Sequence, residues 1–287
     1  MFKIHLVLLL VIICPAPLCA QQLEPGLLWK IEDSEGRVSH LFGTIHSEDA
    51  RVLEFTPELK AAMSASQVFA MELVPDLPTL SRLTTMMHYQ DGQTLQAVIG
   101  QELYSSIVSL LAQYGVPASM ITTMKPWAVA MTISVPPPET GMFLDFSLSL
   151  RATGMGLKVK ALETLDEQVS FLEGMMADDQ LRILQMAVDN HADLPEQLEE
   201  MIESYLSRDL NQLTRIAMRQ LRENDPVMME YFQEYGIDKR NRKMFARLQP
   251  MLAENSVFVA IGALHLGGET GLIKLLQQAG YSLSPVW

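Results

Sequence analysis

Two histidines in the chain stand three residues after a glycine, in Gly43-Thr44-Ile45-His46 and Gly262-Ala263-Leu264-His265. One such tetrapeptide means little, since 16 Gly and 6 His among 287 residues yield about a third of one by chance. Their context means more. Each follows an apolar run, Val38-Ser39-His40-Leu41-Phe42 in the first case and Val257-Phe258-Val259-Ala260-Ile261 in the second. Such runs read as buried strands, and in open α/β sheets functional groups gather beyond the carboxyl ends of strands. The glycine is expected to allow a sharp exit, returning the imidazole over the sheet edge. Two imidazoles with a carboxylate suit a divalent cation or general acid–base work.

Glu72 is the first carboxylate to consider. It sits on an otherwise apolar strand, Ala70-Met71-Glu72-Leu73, where a lone acid is expensive to bury unless paired or bound to a metal. Glu163 likewise ends a strand, in Ala161-Leu162-Glu163-Thr164. Asp145 falls at a helix start, where an acid ordinarily compensates the dipole. The basic run Lys239-Arg240-Asn241-Arg242-Lys243 stands out in an acidic chain. Its plain reading is a solvated helix face; its sharper one is that Arg240 pairs with a site carboxylate or a substrate oxyanion. His40, His88 and His191 lack the strand-exit context and read as surface or core residues. No serine–histidine–acid spacing offers a competing nucleophile.

The elements that must position these residues can be followed along the chain. Leu27 to Ile31 and Val38 to Phe42, around Asp33-Ser34-Glu35-Gly36, predict a hairpin. Thr56-Pro57-Glu58 opens a helix through about Ser66, and Val68 to Leu73 is a buried strand. Residues 77–132 are helical in pattern, with Gly115-Val116-Pro117 stopping one helix. A helix over 141–152 leads to a strand at 158–162. Residues 165–250 look almost wholly helical and rich in methionine, which favours adaptable core filling over a methionine metal site. After the second G-x-x-H come a helix over 270–278, capped by Gly280, and a strand over 281–286. The pattern strand, G-x-x-H, helix, strand thus occurs at both ends. It predicts an α/β fold: a mixed central sheet from two related halves, with a large helical insertion.

Composition bounds the function. The chain is 48% hydrophobic, enough for a full core, and carries a net charge of −13. That acidity argues against nucleic acid and against an anionic membrane surface as partner. Residues 1–20 have a secretory layout: Lys3, the apolar run Leu6 to Ile13, Pro15 and Pro17, then Ala20 before Gln21-Gln22. The run is too short for a membrane span. Cleavage after Ala20 leaves residues 21–287 as one exported domain, periplasmic or secreted; acylation at Cys19 is the lesser alternative. Both cysteines, Cys14 and Cys19, leave with the signal, so any metal site must use nitrogen and oxygen ligands.

Leu28-Trp29, Leu41-Phe42-Gly43-Thr44-Ile45-His46 and Met71-Glu72-Leu73 together resemble the TraB/GumN family, whose metazoan relatives are the Tiki proteins. So do Lys125-Pro126-Trp127, Leu144-Asp145, Leu162-Glu163-Thr164 with Glu167-Gln168, Arg240-Asn241, and Gly262-Ala263-Leu264-His265-Leu266 with Gly268-Glu269 and Gly271-Leu272. The resemblance implies a fold shared with erythromycin esterase-like and ChaN-like proteins, with both G-x-x-H motifs at one site. It further implies a metal-dependent peptidase favouring manganese or cobalt, as Tiki relatives clip a secreted signalling protein and some TraB relatives restrain peptide-pheromone signalling. The family's histidines map onto His46 and His265 and its first acid onto Glu72. Lys239 departs from the pattern, standing where an acid often precedes Arg-Asn. The resulting expectation is an exported hydrolase of peptides or small exported proteins. In it His46, Glu72 and His265 hold a divalent ion, Glu163 is general base or outer support, and Arg240 steadies the oxyanion. Gly43, Asp145, Asn241 and Gly262 support the site. The rival is a non-catalytic protein binding haem, metal or a short peptide over the sheet edge.

Overall fold

A computed structural model describes residues 24–287; the export segment expected over residues 1–20, with Cys14 and Cys19, lies outside them. The hairpin forms from β1 (Leu28–Glu32) and β2 (Val38–Thr44), antiparallel, with Leu28 opposite Phe42. Its turn is closed by Asp33, whose Oδ1 accepts the N–H groups of Glu35 and Arg37, and by Gly36 at φ 80°. A helix (Pro57–Ser64) follows, capped by the Thr56 side chain and started by Pro57. It leads into β3 (Val68–Met71). Helices between Leu77 and Gly154 then connect to β4 (Lys158–Ala161), and helices between Leu165 and Glu254 to β5 (Val257–Gly262). A last helix (Leu272–Gln278) leads to β6 (Ser282–Pro285).

The six strands form one mixed sheet in the order β4-β3-β5-β2-β1-β6. Strands β4, β3, β5 and β2 run parallel, and the hairpin makes the other end antiparallel. The two halves interleave. The chain leaving β2 crosses to the far side of β5 to form β3, while the chain leaving β5 crosses beyond β1 to form β6. The two G-x-x-H strands are therefore immediate parallel neighbours, with Gly43 opposite Ile261 and Thr44 opposite Gly262. Strand β5 is buried from Val257 to Ile261, as expected for a parallel strand covered on both faces. The edge strand β4 is short and mostly exposed, with Lys158 and Lys160 discouraging edge-to-edge pairing.

The helical stretches divide between two cores. Phe42, Phe69 and Phe258 of the sheet pack with Leu59, Leu148, Ile202, Tyr205, Met244, Leu248 and Ile273 from the covering helices. A separate helical core unites Leu95, Ile107, Leu111, Trp127 and Ile133 with Leu165, Val169, Leu172 and Leu184. The expected insertion over 165–250 is thus split. Its first part joins residues 95–133 away from the sheet, and its later part, from Ile202 on, covers the sheet. Met63, Met124, Met228 and Met244 are buried as core filling. No helix among the described residues is long and apolar enough to cross a membrane.

Candidate functional site

The four parallel strands each deliver one candidate at the carboxyl edge: His46 beyond β2, Glu72 beyond β3, Glu163 beyond β4 and His265 beyond β5. The backbone sets the two acids side by side, since the Glu163 N–H donates to the Glu72 carbonyl at 2.9 Å. Two carboxylates this close, Glu163 buried and Glu72 half-buried, need a cation, and Arg240 supplies it. Its Nε donates to Glu163 Oε1 and Oε2 (3.0 and 3.1 Å), and its Nη2 to Glu163 Oε2 (2.6 Å) and Glu72 Oε2 (2.7 Å). Arg240 opens the helix Lys239–Glu254, directly after a wide i→i+5 turn over Phe232–Asp238 whose Gly236 carbonyl accepts Nη1 at 3.3 Å. Wide turns of this kind are frequent at functional sites. Asp238 ties that turn to the loop beyond His265 by accepting from Thr270 Oγ1 at 2.6 Å. Lys239, the residue departing from the family pattern, pairs outward with Glu234.

The next residue along, Asn241, is fully buried and holds His265: Asn241 Oδ1 lies 2.6 Å from His265 Nδ1. With the amide so oriented its oxygen accepts, which places the proton on Nδ1 and leaves Nε2 its lone pair. Asn241 Nδ2 is left buried without a partner among the described residues. Burial pushes the His265 imidazole down to about 4, overcoming the attraction of Glu72, with Arg240 lowering it further. It is neutral at pH 7. Its Nε2 faces Glu72 Oε1 at 3.8 Å. Burial works to raise the Glu72 carboxyl, but His265, Arg240 and the Gly262 N–H outweigh it and hold it below the ordinary carboxylate range. Glu72 Oε1 also accepts from Gly262 N at 2.7 Å, and its Oε2 from Gln168 Nε2 at 3.2 Å. A lone-pair nitrogen and a carboxylate oxygen thus face each other without a proton between them. Two carboxylates against one guanidinium leave a negative charge there. That donor set fits a divalent cation.

His46 reaches the same edge from β2 but is differently held. Its side chain is 58% exposed, stacked on Phe143 with ring centroids 3.8 Å apart and 14° between planes. Its Nδ1 lies 3.9 Å from Asp145 Oδ2. Asp145, in the first turn of the helix Leu144–Gly154, accepts from Thr44 Oγ1 at 2.6 Å. Its position there serves the site as well as the helix dipole. Among the described residues, no three His, Asp or Glu side chains are placed to hold one ion as they stand. His46 and Glu72 do share a cleft of about 520 Å³, with Thr44, Asp145, Gln168 and Gly262 on its polar side and Leu73, Pro75, Leu80, Phe143 and Phe146 on its apolar side. A second cleft of about 650 Å³ lies across His46 and Phe143, lined by Pro136, Pro137, Pro138, Glu139, Pro195 and Glu199 among others.

The two motif glycines correct an expectation. Neither takes a positive φ, so a sharp exit is not what they supply. Gly43 is needed for close approach: a Cβ there would meet Leu266 Cδ2 at 3.1 Å and Ala263 at 3.2 Å, in the loop that bears His265. A Cβ at Gly262 would meet Glu72 Oε1 at 3.2 Å. Gly43 thus makes room for the loop that bears His265, and Gly262 for the Glu72 carboxylate. The Gly43 carbonyl accepts from the buried Tyr205 hydroxyl at 2.8 Å. Tyr205, Phe143 and Phe146 had no signal in the sequence beyond being aromatic; Gln168 was visible only as part of a motif. Of the remaining described histidines, His88 contacts Thr123 and His40 is half-buried within β2, while His191, against the Ile133 carbonyl, lines the second cleft.

Comparison with known proteins places the chain among relatives. The TraB/PrgY/gumN family model matches residues 27–285. Among curated proteins, the chain is 24% identical to Metalloprotease TIKI2 of Danio rerio over 324 aligned positions, 94% of this chain and 62% of the relative. It is 27% identical to Metalloprotease TIKI1 of Danio rerio, over 90% of this chain and 62% of the relative. With Metalloprotease TIKI1 of Homo sapiens the identity is 23%, over 90% of this chain and 61% of the relative. The chain therefore spans about three-fifths of the length of these relatives. No solved structure matches it.

Proposed function

The chain belongs to the TraB/PrgY/gumN family, and from that premise we propose that it is an exported, divalent-metal-dependent hydrolase of peptide bonds. The observation that carries this reading is the facing pair of unprotonated donors, His265 Nε2 and Glu72 Oε1, 3.8 Å apart beside an excess negative charge. His265, Glu72 and, from β2, His46 would hold the ion. Nitrogen and oxygen donors without thiolate suit several divalent ions; manganese or cobalt is what the family resemblance implies. When bound, such an ion supplies Lewis acidity and makes water acidic enough to attack an amide carbon near neutral pH.

The chain's own residues prepare the site. Asn241 keeps the proton on His265 Nδ1 and so keeps Nε2 available. Arg240 and Gln168 occupy Glu72 Oε2, which turns Oε1 toward His265. Glu163 has a fully buried side chain and gives both oxygens to Arg240, which supports reading it as outer support for Glu72 rather than as general base. Arg240 acts first on Glu72, and only an Nη1 N–H is left for a substrate oxygen. The apolar wall of the cleft, Leu73, Pro75, Leu80 and Phe146, seats the side chain of a peptide or small exported protein and excludes water beside the donors.

The test is an assay of the purified protein on a peptide library with added manganese or cobalt, beside a His46→Ala, His265→Ala double variant. Metal-stimulated cleavage, lost in the variant, is the expected result. Tight binding of metal or haem with no cleavage would replace the hydrolase with a non-catalytic binding protein.

A further inference from the structure

Two residues beyond His46, the Glu48 carboxylate collects an unusual number of donors. Its Oε2 accepts from the backbone N–H groups of Glu139 (3.1 Å) and Thr140 (2.9 Å) and from Thr140 Oγ1 (3.2 Å), and its Oε1 accepts from Gly141 N (2.7 Å). All four donors come from one loop, the exit from Pro136-Pro137-Pro138, where Gly141 takes φ 74°. A surface acid so engaged is a staple rather than a solvated charge. A second tie runs beside it, from Leu144 N to the Ser47 carbonyl at 3.2 Å. Just beyond the stapled loop stand the two residues that hold His46: Phe143, stacked on its ring, and Asp145, 3.9 Å from its Nδ1. Glu48, the loop, Phe143 and His46 thus form a closed circuit. While it is closed, His46 faces Phe143, and among the described residues no three ligands meet on one ion.

We propose that Glu48 is a positioning residue whose staple holds Phe143 against His46 and so restrains the imidazole from joining Glu72 and His265 around an ion. The restraint rests on the reading of His46 as a ligand; the staple itself does not. An aromatic stack of this kind shifts an equilibrium by about two- to tenfold, and releasing it should tighten metal binding by that factor.

The experiment uses the full chain with ¹³C-labelled histidine rings, as wild type, Glu48→Ala, and a Glu139→Ala control that removes a neighbouring carboxylate but keeps the Glu139 backbone N–H that donates to Glu48. Spectra are recorded in chelator. Wild-type and control His46 ring protons are expected upfield, under the Phe143 ring current. In Glu48→Ala they move to free-histidine positions while the other histidines stay. Titration with Mn²⁺, read as free ion by electron paramagnetic resonance, should then show about two- to tenfold tighter binding in Glu48→Ala. Should that variant not fold, Phe143→Leu removes the ring directly and should give the same two results. Unchanged His46 shifts would overturn the staple. Shifts lost with weaker Mn²⁺ binding would overturn the restraint, because the stack would then be presenting the ligand. Absence of Mn²⁺ binding in every protein would count against the metal-dependent reading alone, and the ring-current result would still decide the role of Glu48.

Discussion

His265 couples the chemistry of the site to the stability of the chain. Burial holds its folded-state pKa near 4, while an unfolded histidine titrates near 6.5. Between those values the unfolded chain binds the extra proton, so stability rises with pH through that window and is lost as pH falls from about 6.5 to 4. The loss is on the order of 3 kcal/mol. Glu72, held low, adds stability that disappears only as pH falls through its own depressed pKa. Urea midpoints measured in chelator should therefore fall between pH 6.5 and 4 for the wild type, and much less for His265→Gln. Arg240 gives a second forecast. Arg240→Met strands Glu72 and Glu163 without a counter-charge and should cost about 3–5 kcal/mol in urea melts. Adding Glu163→Gln to that variant should recover part of the loss. Asn241→Ala should weaken Mn²⁺ binding by about 10- to 100-fold, since it removes the group that orients the ligand.

Among the elements, the parallel neighbours β2 and β5 are what bring the two motifs together, and their glycines set the spacing. Gly43→Ala pushes on Leu266 and Ala263 and should cost about 1–3 kcal/mol of stability. Gly262→Ala pushes on the Glu72 carboxylate instead, and should show itself mainly as weakened Mn²⁺ binding. Much at this scale was legible in the sequence because it is local. The turn at Asp33–Gly36, the Thr56 cap and the strand ends bearing Glu72 and Glu163 follow from turn chemistry and apolar runs. What was not legible depends on paths between distant segments. Similar motifs at both ends announced related halves, yet only the crossovers show that they interleave. A helical pattern over 165–250 could not say which helices turn to the sheet. Nothing in Phe143 or Glu48 as residue types discloses that a proline-led loop brings one onto His46 and is pinned by the other.

For the molecule as a whole, the site is a product of topology: residues from 46 to 265 reach one edge because four parallel strands end there. A ligand binding there joins segments from most of the chain, so an ion should stabilise the fold by mass action, about 2.7 kcal/mol at a hundred times its Kd. The net charge of −13 favours cation approach but does not localise it; the excess of two carboxylates, Glu72 and Glu163, over the one Arg240 guanidinium does. Glu72 and His265, joined by His46, are proposed to hold one divalent ion. The most direct measurement is the manganese content per chain after loading and gel filtration, for wild type, Glu72→Gln and His265→Ala. One ion per wild-type chain, lost in both variants that remain folded, is the predicted result. A wild type that retains no manganese, or folded variants that retain it in full, would contradict it.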